Sequence, residues 1–89
     1  MNQEALVFIH FLKTQKKMTD ANICEIFKIS SRMTIHRWRT GECEVTLSRY
    51  VDLCKIMEDY MNKPAKHIFM TGMHNVSDKL FGYSEHTIV

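Results

Sequence analysis

The sequence predicts one all-α domain, and three observations support that fold class. The chain has 89 residues, 45% of them hydrophobic, which suffices for one compact core and leaves no room for a second domain. Three Gly and one Pro are too few for the many tight turns of a sandwich or barrel. Seven Met and many Lys, Glu, Ile and Leu instead suit helices. We therefore expect a compact five-helix bundle in residues 1–72 and a C-terminal tail in residues 73–89.

The first two helices are predicted by apolar spacing and by a capping residue. Residues 3–16 carry apolar side chains at helical spacing, and lysines near the end of this segment complement the helix dipole. Thr19 is a candidate N-cap, since its hydroxyl can accept a hydrogen bond from the first turn of a helix. The polar turn and apolar stripe that follow predict a short second helix over residues 20–27.

A third helix is predicted after a short interruption. Ser30 or Ser31 can cap its start, and Gly41 ends it. On a helical wheel Ile35 and Trp38 fall together, so we expect both to pack inward. The opposite face is open to a partner, and it comprises Arg32, Met33, His36, Arg37 and Thr40.

Two further helices complete the predicted core. Thr46 is a candidate N-cap for the fourth helix. The interior stripe of this helix is predicted to consist of Leu47, Tyr50, Val51, Leu53, Cys54, Ile56 and Met57. Asn62-Lys63-Pro64 predicts the entry to a fifth helix, because proline is tolerated in a first helical turn, and this short helix carries Ala65, Ile68 and Phe69 and ends by Gly72. Beyond it the apolar residues lack a clear period, and residues 73–89 are the candidate dimerisation segment.

Composition and spacing argue against several classes of protein. We expect a cytoplasmic protein with no membrane partner, because no apolar stretch approaches the roughly 20 residues of a membrane span and the N-terminus lacks a signal-peptide pattern. The cysteines are odd in number and widely spaced, which indicates reduced thiols, with Cys24 and Cys54 buried and Cys43 in a loop. No metal-binding spacing, phosphate loop or catalytic constellation occurs in the sequence. We therefore expect no metal, no cofactor, no small-molecule ligand and no enzymatic activity.

The positive charge of the chain is concentrated in one segment. The net charge is +2, but residues 13–41 hold seven basic and two acidic residues, so this segment carries +5 and the remainder −3. Such asymmetry is typical of a protein that presents one surface to a polyanion. A solvated face of ordinary lysines and arginines is the alternative that charge alone leaves open.

A short helix, a turn and a second helix with a cationic outer face form an arrangement that can read the DNA major groove. Arginine can bind guanine through two hydrogen bonds, histidine can donate or accept one, and Met33 can contact a thymine methyl group. Cations around this helix would meet phosphates, which positions a domain without specifying a sequence. These expected backbone contacts are Lys16, Lys17, Lys28 and Arg39.

Two stretches, residues 18–42 and residues 45–57, carry a family resemblance. They read MTDANICEIFKISSRMTIHRWRTGE and VTLSRYVDLCKIM. Met18-Thr19 corresponds to the opening of a second helix, Cys24 to its small buried residue, and Ile29-Ser30 to an apolar-Ser turn. The core of the recognition helix corresponds to Thr34, Ile35, His36, Arg37 and Trp38. Over roughly residues 5–70 the chain therefore resembles the Cro-like phage-repressor family of helix-turn-helix domains, also called the xenobiotic-response-element (XRE) family.

The resemblance implies a fold, a function and a set of contacts. The implied protein has a lambda-repressor-like fold and is a sequence-specific, double-stranded-DNA-binding transcriptional regulator, a repressor of phage or mobile-element type. One recognition helix contacts too few base pairs for genomic specificity, so a homodimer on a palindromic operator is expected. The implied base-facing residues are Arg32, Met33, His36 and Arg37. The hydroxyl residues that join the DNA-backbone contacts are Thr19, Ser30, Ser31 and Thr40.

The sequence also departs from the family pattern. The segment from Ile29 to Trp38 is one residue longer than usual, which leaves Ser30 and Ser31 as alternative caps. Lys28 stands where the turn usually has Gly, so we expect the bend to form without a left-handed glycine conformation. Two other functions stay open: an excisionase-like DNA-binding factor, and a helical protein-interaction module such as an antitoxin or anti-repressor.

Overall fold

A computed structural model describes residues 1–72, and these residues fold into five helices without any strand. The first four helices are α1 (Asn2–Gln15), α2 (Asp20–Ile26), α3 (Arg32–Thr40) and α4 (Leu47–Met61). The fifth, α5, spans 65–72 and reaches the last described residue. The all-helical fold class is therefore confirmed. The predicted tail and dimerisation segment, residues 73–89, lies outside the described residues.

Hydroxyl side chains cap the starts of α2, α3 and α4. Thr19 and Thr46 each accept a hydrogen bond from the backbone N–H three residues further on, at 3.2 Å in both cases. At α3 the choice between two serines is resolved, because Ser31 Oγ accepts from the Met33 N–H at 3.2 Å. Ser30 therefore lies in the turn before the cap, and α3 begins at the later of the two alternatives.

Each of the four junctions between helices contains one residue in the left-handed backbone region. These residues are Lys17 (φ 55°), Lys28 (φ 57°), Gly41 (φ 80°) and Asn62 (φ 55°). The expectation that the bend at Lys28 would avoid the left-handed conformation is wrong. The Ile29 N–H donates to the Cys24 carbonyl at 2.8 Å, which closes a tight reversal directly after α2. This reversal requires a positive φ at the residue before Ile29, whatever its side chain.

The core is one cluster to which all five helices and the loop after α3 contribute. Tyr50 is fully buried in it, with its ring stacked on Phe8 (centroids 5.6 Å apart) and tilted against Phe69 (5.3 Å). Ile35 and Trp38 are buried as expected. Within residues 1–72 the buried apolar residues are Ala5, Phe8, Ile9, Leu12, Ile23, Cys24, Phe27, Ile35, Trp38, Val45, Tyr50, Leu53, Cys54, Met57 and Ile68.

One expectation about α4 is wrong in detail. Leu47 is 58% exposed rather than interior, and it is the first residue of α4, at the edge of the apolar stripe that the rest of the helix buries. The chain enters α5 at Pro64 as expected, since this residue directly precedes the helix and its carbonyl accepts from the His67 and Ile68 N–H groups. The thiols are as expected, with two buried and the loop cysteine exposed.

Candidate nucleic-acid interface

Helix α3 presents opposite chemistry on its two faces. Ile35 and Trp38 retain only 2% and 5% of their surface, whereas the four residues predicted to face DNA bases are all exposed. Those four residues are Arg32, Met33, His36 and Arg37. The nine residues of α3 include three arginines and one histidine and no acidic residue. The exposed face of α3 is therefore cationic, rich in hydrogen-bond donors, and contains one apolar side chain.

All eight residues predicted to contact the DNA backbone are exposed as well: Lys16, Lys17, Thr19, Lys28, Ser30, Ser31, Arg39 and Thr40. Two of the hydroxyls are already occupied as both donor and acceptor. Thr19 Oγ1 donates to the Asn22 side chain while it accepts from the Asn22 N–H. Thr40 Oγ1 donates to the Arg37 carbonyl and accepts from the Glu42 N–H. These two threonine hydroxyls already use their hydrogens in bonds within the protein. Ser30 and Ser31 are therefore better placed to donate a hydrogen bond to a phosphate.

The turn between α2 and α3 is held by Arg49, which sequence reasoning missed. Arg49 Nη2 donates to the Phe27 carbonyl at 2.7 Å and, at 3.5 Å, approaches the Lys28 carbonyl. These carbonyls belong to the end of α2, where backbone acceptors lack partners within the helix. A sequence signal did exist: Arg49 lies in the first turn of α4, where a cation opposes the helix dipole and therefore suggests a tertiary partner.

The C-terminal end of α3 is held by Asn2, a residue that the sequence did not identify as part of the site. Asn2 Nδ2 donates to the carbonyls of Trp38 (3.1 Å) and Cys43 (2.8 Å), and its Oδ1 accepts from the Val45 N–H (2.7 Å). One amide thus ties the start of α1 to the end of α3 and to the loop that follows. No local pattern signals this role, because the partners lie 36 to 43 residues away in the sequence.

Two ion pairs involve cations of the basic segment. The Lys13 ammonium lies 2.7 Å from Asp20 Oδ1, at the start of α2. The Lys13 ammonium is the main cause that lowers the pKa of the Asp20 carboxyl, and the positive charges of Arg39 and Arg32 act in the same direction. Arg32 and Arg39 are seven residues apart on α3, so they lie on the same side of that helix. An acidic residue therefore lies within the cationic surface.

The second ion pair involves a predicted base-facing residue. Glu42 Oε2 lies 3.0 Å from Nε of Arg37, and both side chains are exposed. The Arg37 carbonyl also accepts from the Cys43 N–H at 3.3 Å, so the loop folds back over the end of α3. Glu42 was not among the predicted site residues. Its role depends on the reversal at Gly41, which brings a residue from the following loop back against the helix.

Within residues 1–72, no group of three His, Cys, Asp or Glu side chains is arranged to hold a metal ion. None of the helices in that range combines the length and the apolar character that a membrane crossing requires. Comparison with known proteins found no matching family model, no matching curated protein and no matching solved structure. The resemblance to the Cro-like family therefore stays a prediction.

Proposed function

We propose that this protein is a sequence-specific double-stranded-DNA-binding transcriptional regulator that reads the major groove with α3. The observation that carries the proposal is the exposed face of α3, which gathers Arg32, His36 and Arg37 around Met33 opposite a buried face. A nine-residue helix with three arginines and no acidic residue is suited to a polyanion. In this proposal α2 and α3 are the two helices of a lambda-repressor-like helix-turn-helix.

The dimensions and chemistry of α3 match the groove. An α-helix with its side chains is about 10 to 12 Å across, and the major groove of B-DNA is about 12 Å wide. Arginine can donate two hydrogen bonds to guanine, and a methionine can contact the methyl group of thymine. Arg32 and Arg37 supply the first kind of contact in the proposed complex, and Met33, which is 53% exposed, supplies the second.

The residues around α3 are assigned to the phosphates. Lys16 and Lys17 lie in the junction before α2, Lys28 and Ser30 lie in the turn before α3, and Arg39 lies in the last turn of α3. Contacts of these residues would fix the orientation of the domain without reading sequence. Ser31 joins them through its hydroxyl hydrogen, while Thr19 and Thr40 support the contacts by holding the backbone in place.

The proposed mechanism is occlusion of a promoter by a repressor of phage or mobile-element type. A single recognition helix reads only a few base pairs, so we propose a homodimer on a palindromic operator, with half-sites one helical turn apart, about 34 Å. Residues 73–89 remain the proposed dimerisation segment. This segment contains apolar residues that a DNA-binding unit of residues 1–72 does not need.

The test is selection of random-sequence duplex DNA by the purified full-length protein at two salt concentrations, followed by sequencing of the retained DNA. We expect enrichment of a short inverted repeat. We also expect the affinity to fall steeply as salt rises, because lysine and arginine side chains that contact phosphates release counterions from the DNA. Failure to retain duplex DNA even at low salt would contradict the proposal. It would favour the protein-interaction module instead, with the same cationic face binding an acidic protein.

Three variants separate the proposed roles. Arg37→Ala is expected to cost about 1 to 3 kcal/mol on the selected site and to relax the preference for one base. Lys17→Ala should weaken binding to every sequence alike and lower the salt slope by about one. Lys66→Ala removes a charge from another exposed side chain, on α5 and outside the basic segment, and should change neither quantity. Equal losses on selected and random DNA for Arg37→Ala would refute the base-facing assignment.

A further inference from the structure

The loop after α3 holds an acidic side chain against one of the proposed base-facing arginines. Glu42 Oε2 lies 3.0 Å from Arg37 Nε, and 46% and 68% of the Arg37 and Glu42 side chains remain exposed. An exposed ion pair of this kind contributes little to stability, because water screens the attraction. Its main effect is on geometry, since the carboxylate limits the directions in which the guanidinium can point.

The carboxylate stands on a loop that is fixed on both sides. Gly41 is left-handed and reverses the chain, and the Cys43 N–H then donates to the Arg37 carbonyl at 3.3 Å. The Cys43 carbonyl in turn accepts from Asn2 Nδ2 at 2.8 Å, which anchors the loop to α1. Glu42 therefore approaches Arg37 from a position that the backbone determines, rather than from a freely moving segment.

Nε is the guanidinium nitrogen that lies against Glu42, at 3.0 Å from Oε2. Within residues 1–72 the two terminal nitrogens of Arg37 donate no side-chain hydrogen bond. Guanine presents two acceptors, O6 and N7, on its major-groove edge, and the two terminal nitrogens of arginine match them. Adenine offers N7 beside an amino group, so the same pair of donors meets one acceptor and one donor.

We propose that Arg37 reads a guanine through its two terminal nitrogens and that Glu42 is the positioning residue that holds the guanidinium for this contact. The inference rests on the proposed function, and it specifies one base of the operator. Glu42 acts in a second way through its charge. A carboxylate beside Arg37 repels phosphate oxygens, which disfavours the alternative in which this flexible side chain binds the DNA backbone.

The experiment compares four full-length proteins in the random-duplex selection: wild type, Arg37→Ala, Glu42→Gln and Glu44→Gln. Glu44 is exposed, lies in the same loop and loses the same charge on substitution, so it is the matched control. We expect Arg37→Ala to lower the preference for guanine at one position by roughly 5- to 150-fold. Glu42→Gln should lower the preference at that same position by roughly two- to fivefold and leave the other positions unchanged. Glu44→Gln should change no position.

The possible outcomes separate a failure of this inference from a failure of the proposed DNA-binding function. A wild-type protein that enriches no sequence overturns both. If wild type enriches a site but Glu42→Gln and Glu44→Gln raise the affinity for all sequences alike, Glu42 acts only as a charge and the positioning role is refuted. If Arg37→Ala alters a position where wild type prefers a base other than guanine, the assignment of guanine is refuted while the proposed function stands.

Discussion

Helix α3 lies between two residues with a left-handed backbone conformation, Lys28 in the turn before it and Gly41 directly after it. The carbonyls near Lys28 are held by the charged side chain of Arg49 from α4, whereas those near Gly41 are held by the neutral amide of Asn2 from α1. The turn before α3 thus combines a strained residue with a charged hydrogen-bond donor. The end of α3 combines an unstrained glycine with an uncharged hydrogen-bond donor. Helix α3 is thus anchored on both sides: Arg49 of α4 holds the turn before it, and Asn2 of α1 holds its end.

The largest effect in this comparison is expected from removal of the Asn2 side-chain amide. Asn2→Ala loses three hydrogen bonds, two of them partly buried, and should lower the free energy of unfolding by about 2 to 4 kcal/mol. Urea denaturation monitored by Trp38 fluorescence measures the loss. The adjacent, exposed Gln3→Ala is the control and should change stability little. Similar small losses for both variants would show that the Asn2 bonds do not stabilise the end of α3.

Removal of the Arg49 guanidinium should have the next largest effect. Arg49→Ala leaves the Phe27 and Lys28 carbonyls without this donor, and we expect a loss of about 1.5 to 3 kcal/mol in the free energy of unfolding. Amide hydrogen exchange of Ile29 should accelerate as well, because its N–H closes the same turn. Arg49→Lys keeps the charge without the planar group of donors, and full recovery of stability in that variant would contradict a role for donor geometry.

Gly41→Ala tests the relaxed end of the comparison. A Cβ at this position meets no atom within 4 Å, so the only penalty is conformational. We expect a loss of about 1 to 2 kcal/mol in thermal denaturation, the cost of a left-handed L-residue. Gly41→Asn should lose less, since asparagine tolerates this conformation better than alanine does. A larger loss for asparagine than for alanine would show that something other than φ limits the site.

Lys28→Gly tests the strained end and should change stability in the opposite direction. Glycine relieves the left-handed strain but increases the entropy of the unfolded chain, so we expect a net gain of about 0.5 to 1 kcal/mol. Lys16→Gly is the control, because φ of Lys16 is −109° and there is no strain to relieve. Destabilisation of both variants to the same extent would mean that Lys28 is not strained.

The smallest effect concerns the junction before α2, where Lys13 and Asp20 form an ion pair. The pKa of Asp20 is lowered in the folded protein, so its contribution to stability is complete above its ordinary pKa of about 3.9 and is lost as pH falls through the lowered value. Asp20→Asn should therefore cost about 0.2 to 1 kcal/mol at pH 7, and this difference should shrink as the pH falls below the ordinary pKa of the carboxyl. A pH-independent difference between wild type and Asp20→Asn, or an equal one for the exposed Asp52→Asn, would contradict this assignment.

Local signals in the sequence predicted most of the helices correctly. Thr19, Thr46 and Gly41 mark helix ends through interactions that span only a few residues, and the spacing of Ile35 and Trp38 identifies the buried face of α3. Such features are visible in sequence because the interacting atoms are close along the chain. The exposure of the four predicted base-facing residues follows from the same helical geometry.

The remaining features depend on packing that no local pattern encodes. Asn2 and Arg49 bind carbonyls more than 20 residues away, so their roles appear only once the helices are assembled. The left-handed conformation of Lys28 opposes its own preference and is imposed by the tight turn around it. Leu47 fits the apolar period of α4 but lies beyond the edge of the core, which periodicity cannot locate.

Two of the four left-handed residues are lysines, and this has a consequence for how the protein can change under selection. Lys17 and Lys28 are the positions where glycine would relax the backbone, and they are also cations of the proposed DNA-binding surface. Selection for heat tolerance alone is expected to replace them, and each replacement removes a positive charge. Variants evolved in that way should form a graded series in which the melting temperature rises while the affinity for DNA falls.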